Sequence, residues 1–267
     1  MISEVLSAEV GVKHQMFVSA DSIVRKIWGR SDTVLFIFAG AAAEFAVNKA
    51  VDWLYFTGKL PSDPLGRLFS TVGYAKSIVF APTLQAHKAI DAMTRIHNNV
   101  ELHRDLKIPD WAYRDVLFML IHYSIAAHEL LETKLTDDEK EEVHNVFYRV
   151  GCRMGLKELP SNYHQWKTAR EEHMLKDLCR SSYTDDLFKQ YKKHLGMLRF
   201  FFLVEVQKLL VPKYVLQELG FNSMTIAGPL ITIYKMFRFF KADWLIKDLL
   251  LPAAYKLQVK KLDVHAI

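Results

Sequence analysis

The sequence predicts an all-α fold, a single multi-helix globular domain spanning residues 1–267. Three observations carry that expectation. Apolar residues recur at three- and four-residue spacing in segment after segment, the period of a helix with one buried face. Capping residues open these segments, and glycine or proline closes them. No window alternates apolar and polar residues between turn signals, so few or no strands are expected.

Each element follows from its own punctuation. Ile23, Val24, Ile27 and Trp28 fall on one helical face and stop at Gly29. Ser31-Asp32 offers a cap for a long apolar helix ending near Thr57-Gly58. Asp63-Pro64 is a cap followed by proline at the first helical position, and this helix runs to about Phe80. Thr83 can cap the next, which passes through His97 to about His103. Pro109-Asp110 opens a helix from Trp111 to about Thr133, apolar nearly all round and therefore central. Thr136 and Glu139 form a capping box for a helix ending near Gly155, and Pro160-Ser161 starts another. A long helix spans Thr184 to Val211 and stops at Pro212. From Tyr214 to Lys261, Gly220, Gly228-Pro229 and Pro252 divide two or three further helices. There is no repeat, linker or domain boundary.

Composition narrows the function. The chain has 267 residues, 51% hydrophobic and 24% charged, with net charge +5. It is globular, and long enough to enclose a ligand cavity as well as a core. The mild basic excess suits an anionic cofactor or a membrane surface. No dense basic block or nucleic-acid motif is present, so no nucleic-acid partner is expected. Cys152 and Cys179 stand apart without CxxC spacing, which fits a reducing compartment and no disulfide framework. The first residues carry an early acid and no basic region, unlike a signal peptide. The greasiest runs, Val34 to Val47 and Leu198 to Val211, contain charges and fall short of the roughly 20 apolar residues that span a bilayer. A cytoplasmic protein is expected. Gly-rich phosphate loops, GxSxG elbows and DxD clusters are absent, so nucleotide-binding and serine-hydrolase readings have no support.

One histidine stands out. Ala86, Ile90, Met93, His97 and Val100 share a helix face, so His97 sits inside an apolar stripe. A buried imidazole needs a partner. That partner is a carbonyl or hydroxyl in a satisfied core, or a metal or haem iron; periodicity does not choose. On the preceding helix Arg67, Thr71 and Tyr74 form a polar row at i, i+4 and i+7, beside the apolar set Leu68, Val72, Ala75 and Val79. Arg67 can meet a carboxylate or reach solvent. His122, on the central helix, is a core histidine or lines a pocket.

Other patterns are weaker. His128-Glu129 begins like HExxH, but Glu132 stands where the second histidine belongs. Glu141 to His144 matches one Glu-x-x-His, and di-iron bundles need two. The stretch Tyr234 to Lys241, followed by Trp244-Leu245 and Leu249 to Leu251, mixes basic and bulky apolar residues. It either lies on a membrane interface or packs on the core with snorkelling cations.

Several segments, in order, resemble the haem-dependent oxygenase domain shared by the fungal mpaB-type oxygenases and the bacterial rubber oxygenases. They are the glycine-alanine-rich helix Phe38 to Ala43, the run Asp63-Pro64-Leu65-Gly66-Arg67-Leu68-Phe69-Ser70-Thr71, the segment Ile78 to Ala81, the run Thr94 to Val100 around His97, the central helix Trp111 to Leu131 with His122, and the turn Gly155 to Pro160. The likeness is strongest over residues 31–175. It implies haem b between helices, His97 as proximal iron ligand, and Arg67 and Thr71 near the distal face or a propionate. It further implies O2 activation on a hydrophobic, isoprenoid-type substrate. Ser70 stands where rubber oxygenases carry a lysine that can occupy the distal iron position, which leaves that site open or water-filled. The fungal relatives have an N-terminal membrane helix that this chain lacks, so a soluble protein, or one at a membrane periphery, is expected. The alternative is a helical haem- or lipid-binding protein without catalysis. A metal-dependent hydrolase or di-iron enzyme rests only on His128-Glu129 and Glu141-His144.

Overall fold

In the computed structural model of this chain, residues 15–58, 62–222 and 224–240 are described, together with Ala253, Lys256, Leu257 and Asp263. Helices account for the regular structure of these residues, with only two isolated β-bridges among them. In chain order they are α1 (Ile23–Trp28), α2 (Ser31–Ala46), α3 (Val51–Phe56), α4 (Pro64–Val79), α5 (Thr83–Arg104) and α6 (Asp110–Leu131). They continue with α7 (Asp137–Met154), α8 (Tyr163–Asp177), α9 (Ser182–Leu210), α10 (Lys213–Leu219) and α11 (Ala227–Phe239). The all-α expectation holds.

Local chemistry explains several of the helix starts. Asp63 accepts from the Gly66 amide at 2.9 Å, with Pro64 at the first helical position. Thr136 and Glu139 close the expected capping box of α7. Asn162 caps α8 by accepting from the Gln165 amide at 2.9 Å. Two starts differ from expectation. The Thr83 hydroxyl does not cap α5; it donates 2.8 Å to the Gln15 carbonyl and ties down the incoming chain. At α2 the Ser31 amide and hydroxyl both donate to the Asp263 carboxylate, at 2.8 and 2.9 Å. The first turn of α2 is therefore satisfied by a residue from the far end of the chain.

The long helix expected from Ser31 to Thr57 is broken. It stops at Ala46 and resumes at Val51. Asn48 turns the chain by accepting from the Ala50 amide at 2.8 Å. The intervening backbone pairs with the end of α8: the Lys49 amide donates to the Asp177 carbonyl, and the Cys179 amide to the Val47 carbonyl. A tertiary bridge has replaced two helical hydrogen bonds. Helix α9 kinks at Gly196, whose φ of 75° is left-handed backbone that favours glycine.

The main core lies where α2 crosses α6. Gly40 permits the approach, because a Cβ there would lie 2.3 Å from Tyr123 Cδ1. Below this crossing Glu44, buried in an otherwise apolar run, takes a bidentate pair from Arg170 at 2.9 and 2.6 Å. The Tyr123 hydroxyl also donates to Glu44 Oε2 at 2.7 Å. Trp28 is fully enclosed, its indole N–H donating to Ser124 Oγ at 3.1 Å.

Helix α11 is fastened to this core. The Tyr234 hydroxyl donates to Asp32 at 2.9 Å, and the buried Arg238 pairs with Asp32 at 3.1 Å and with Glu132. The described part of the basic, apolar C-terminal stretch thus packs by its polar groups while Met236, Phe239 and Phe240 stay exposed. Trp244-Leu245 and Leu249 to Leu251 lie outside the described residues. Among the described residues no helix is long and apolar enough to cross a membrane.

Candidate functional site

A cavity of about 310 Å³ opens between the helices that surround the α2–α6 crossing. That is at the lower edge of the range for small-molecule and cofactor sites. Helix α2 contributes Phe38, Ala41, Ala42 and Phe45, and α6 contributes Tyr113, Val116, Leu117 and Leu120. The wall is mainly apolar. Ile96 and Val116 are exposed at its rim, so the cavity communicates with the surface.

Its few polar groups are those singled out by spacing. Arg67, Thr71 and Tyr74 line one side from α4, and His97 lines another from α5. The helical period put the α4 row on one face, and packing of α4 on α5 brings that face to His97.

His97 is held edge-on against the Tyr113 ring, centroids 5.2 Å apart. Its Nδ1 is buried and directed toward the Met93 carbonyl one turn back, short of hydrogen-bond geometry. No described residue hydrogen-bonds its Nε2. Burial, and then the nearby Arg67 charge, hold the imidazole pKa below its ordinary value, against the opposing pull of the Met93 carbonyl and Glu101. The ring is therefore neutral at neutral pH, the form that binds a metal. A neutral imidazole that lines a largely apolar cavity, with Nδ1 turned to its own helix, has the chemistry to ligate iron.

Arg67 is half-buried, and burial lowers its pKa, with Tyr74 acting the other way. It forms no ion pair with any described residue. A cation partly removed from water without a counter-ion is a site for an anionic ligand group. Thr71 is more constrained than its position suggests. Its hydroxyl donates to the Arg67 carbonyl at 3.1 Å, so that proton is already committed.

Ser70 and His122 are not brought to this cavity. Ser70 is exposed, and its hydroxyl donates to the same Arg67 carbonyl at 2.7 Å. His122 faces the Leu210 carbonyl and Arg170 on the far side of α6, with its Nε2 buried and unpartnered. Burial, then Arg170, hold its pKa well below the ordinary value.

The structure adds two residues that sequence reasoning passed over. Tyr113 lines the cavity against His97, and its hydroxyl lies 3.4 Å from Glu101 Oε1. Glu101, buried one turn beyond His97, also accepts from Lys107 Nζ at 2.6 Å and the Ile108 amide at 3.0 Å. Burial pushes its carboxyl up, but these donors together hold it below the ordinary glutamate value. A second, more polar cavity of about 300 Å³ adjoins the first here, sharing His97 and Tyr113 as a wall. The only sequence signal was that Glu101 falls i+4 from His97.

The metal look-alikes are absorbed by local bonding. Glu129 accepts from the Leu135 amide and pairs with Lys140, and Glu132 pairs with Arg30 and Arg238. His144 Nε2 meets the Pro160 carbonyl at 3.1 Å, and Glu141 accepts from the Tyr163 amide. Among the described residues, three metal-ligating groups converge only at Asp115, His173 and Asp177.

A helical scaffold that gathers a neutral histidine, and an arginine without an ion-pair partner among the described residues, in one open apolar cavity is that of a helical domain with a candidate ligand-binding site. The sequence places it more closely: the family described as ER-bound oxygenase mpaB/B′/rubber oxygenase, catalytic domain, matches residues 25–240. The chain belongs to that family, and its domain is of the oxygenase catalytic type. No curated protein and no solved structure matches it.

Proposed function

We propose that this chain is a haem b-dependent oxygenase that uses O2 on a hydrophobic, isoprenoid-type substrate. The observation that carries the proposal is the convergence on one apolar cavity of His97 and of Arg67, which has no ion-pair partner among the described residues. Haem, when bound, supplies an iron centre able to activate O2. His97 would hold the iron through Nε2. Tyr113, edge-on to the ring, limits rotation of the imidazole. Arg67 would pair with a propionate and so fix how the macrocycle lies. The apolar side chains of α2 and α6 exclude water and receive an apolar substrate entering past Ile96 and Val116. Thr71 presents oxygen lone pairs and a methyl group, because its proton is engaged.

Purified protein reconstituted with haem tests this. A Soret band should survive gel filtration and be lost in His97→Ala. Arg67→Leu should fold normally yet bind haem about 10–100-fold more weakly, the worth of one hydrogen-bonded charge pair. Bound zinc or iron with no Soret band would overturn the proposal.

One observation favours a carrier over an enzyme. Ser70 is exposed and both its hydroxyl and that of Thr71 donate to the Arg67 carbonyl, so neither would be free to donate to a ligand in the cavity. Oxygen consumption with an isoprenoid probe separates the two: uptake above the His97→Ala background supports the oxygenase, and its absence in haem-loaded protein supports the carrier.

A further inference from the structure

Away from the cavity, Asp115 on α6 meets His173 and Asp177, which lie i,i+4 on α8. One ligand-type atom from each lies within 4.8 Å of the others. His173 Nδ1 is 2.5 Å from Asp115 Oδ1 and 3.6 Å from Asp177 Oδ2. None of these residues lines the cavity, and the reading of the cavity makes no use of them.

Three features exceed what a structural hydrogen bond requires. First, Asp177 is 4% exposed and its Oδ2 has no hydrogen-bond partner, although it faces the group. A buried carboxylate oxygen left without a donor is costly, and a cation is the partner that would relieve it. Second, Asp115 is oriented from behind. Its Oδ2 accepts from Asn48 Nδ2 at 2.7 Å, and Asn48 is itself held by the Ala50 amide, so Oδ1 is the oxygen left for the group. An amide supporting a ligating carboxylate from its far side is the usual outer shell of a metal site. Third, His173 keeps 19% of its side-chain surface exposed, which gives an ion a route from solvent.

We propose that Asp115, His173 and Asp177 bind a divalent first-row transition cation, of which Zn²⁺ and Mn²⁺ are the plainest probes. The donor set is one imidazole nitrogen and two carboxylate oxygens, which suits such ions better than the all-oxygen preference of Ca²⁺ and Mg²⁺. Zinc holds N and O ligands at about 2.0–2.2 Å, which sets neighbouring ligand atoms about 3.3–3.6 Å apart. The His173–Asp177 spacing already matches. The His173–Asp115 contact opens when the ion replaces the proton between them, with release of that proton. Water completes the coordination from the exposed edge. The bound ion would pin α8 to α6 beside the Asn48 turn, and so brace a helix that forms one wall of the cavity.

The test uses full-length protein stripped with chelator and dialysed against Zn²⁺ or Mn²⁺, with metal counted by mass spectrometry. The wild type and His97→Ala should each retain about one ion per chain. His173→Gln and Asp177→Asn should bind it at least about 10-fold more weakly. His173→Gln is the decisive variant, because the side chain is partly exposed and an amide still bonds Asp115. Metal should also raise the melting temperature of the wild type and not of His173→Gln. Loss of the ion in His97→Ala, equal retention by His173→Gln, or no ion retained by the wild type would each overturn the proposal.

Discussion

Replacing a glycine with alanine in a helix ordinarily stabilises it, by up to about 1 kcal/mol. In this protein the same substitution should act with opposite signs at two helical positions. At Gly73 on α4 nothing lies within 4 Å of an added Cβ, and the site is exposed. Gly73→Ala should therefore gain most of that amount. At Gly40 on α2 the added Cβ would sit 2.3 and 2.4 Å from Tyr123 Cδ1 and Cε1. The ring cannot step aside, because it is fully buried and its hydroxyl is bonded to Glu44, which Arg170 locks in turn. Overpacking of this kind costs about 1–3 kcal/mol, and the severity of the clash places it near the upper end. Net of the helix gain, Gly40→Ala should lose about 2 kcal/mol. For a chain of this size 1 kcal/mol moves the melting temperature by about 2–4 °C. Calorimetry should thus show Gly40→Ala melting about 4–8 °C lower and Gly73→Ala about 2–3 °C higher. Both walls of the cavity ride on the α2–α6 contact, so Gly40→Ala should also weaken haem uptake while Gly73→Ala leaves it unchanged. A Gly40→Ala protein that melts at or above the wild-type temperature would refute the close approach.

Arg170→Met should cost about 3–5 kcal/mol, because it leaves Glu44 buried without its cation; a urea midpoint shift worth under 1 kcal/mol would contradict that pairing. Stability should fall as pH drops from 7.5 to 5.5. Burial before any other cause holds His97, His122, His128 and His144 below the ordinary histidine value of 6.5. The unfolded chain therefore binds more protons than the folded one once pH passes below about 6.5, and protonation pulls toward unfolding. Melting temperatures across that range should decline, and less steeply in His122→Gln; a flat profile would count against the buried, neutral histidines.

Much of the site was legible because helical periodicity is a statement about faces. The spacing of Arg67, Thr71 and Tyr74 put three polar groups on one line, and the stripe through Ala86, Ile90 and Met93 turned His97 inward. Both readings needed only an angle of about 100° per residue. The same rule could not place His122. Helix α6 is apolar nearly all round, so its pattern marks no single face, and His122 comes about two and a half turns after Tyr113, on the opposite side. Nor could it find the break after Ala46. No proline or glycine marks that break, and two backbone groups that would continue the helix, the Lys49 amide and the Val47 carbonyl, pair instead with Asp177 and Cys179 at the end of α8.

The sequence by itself determined that the chain is helical, where most helices begin, which histidine is stranded among apolar residues, and which family its ordered motifs resemble. These are properties of neighbours along the chain, where propensity, capping and period act within a turn or two. The tertiary structure alone decided that Arg67 has no counter-ion among the described residues, that Tyr113 stands against His97, and that Asp115 faces His173 and Asp177. Each depends on groups that only packing makes neighbours. Burial sets the energetic cost of an unmatched charge or lone pair there, and no local pattern records burial between helices.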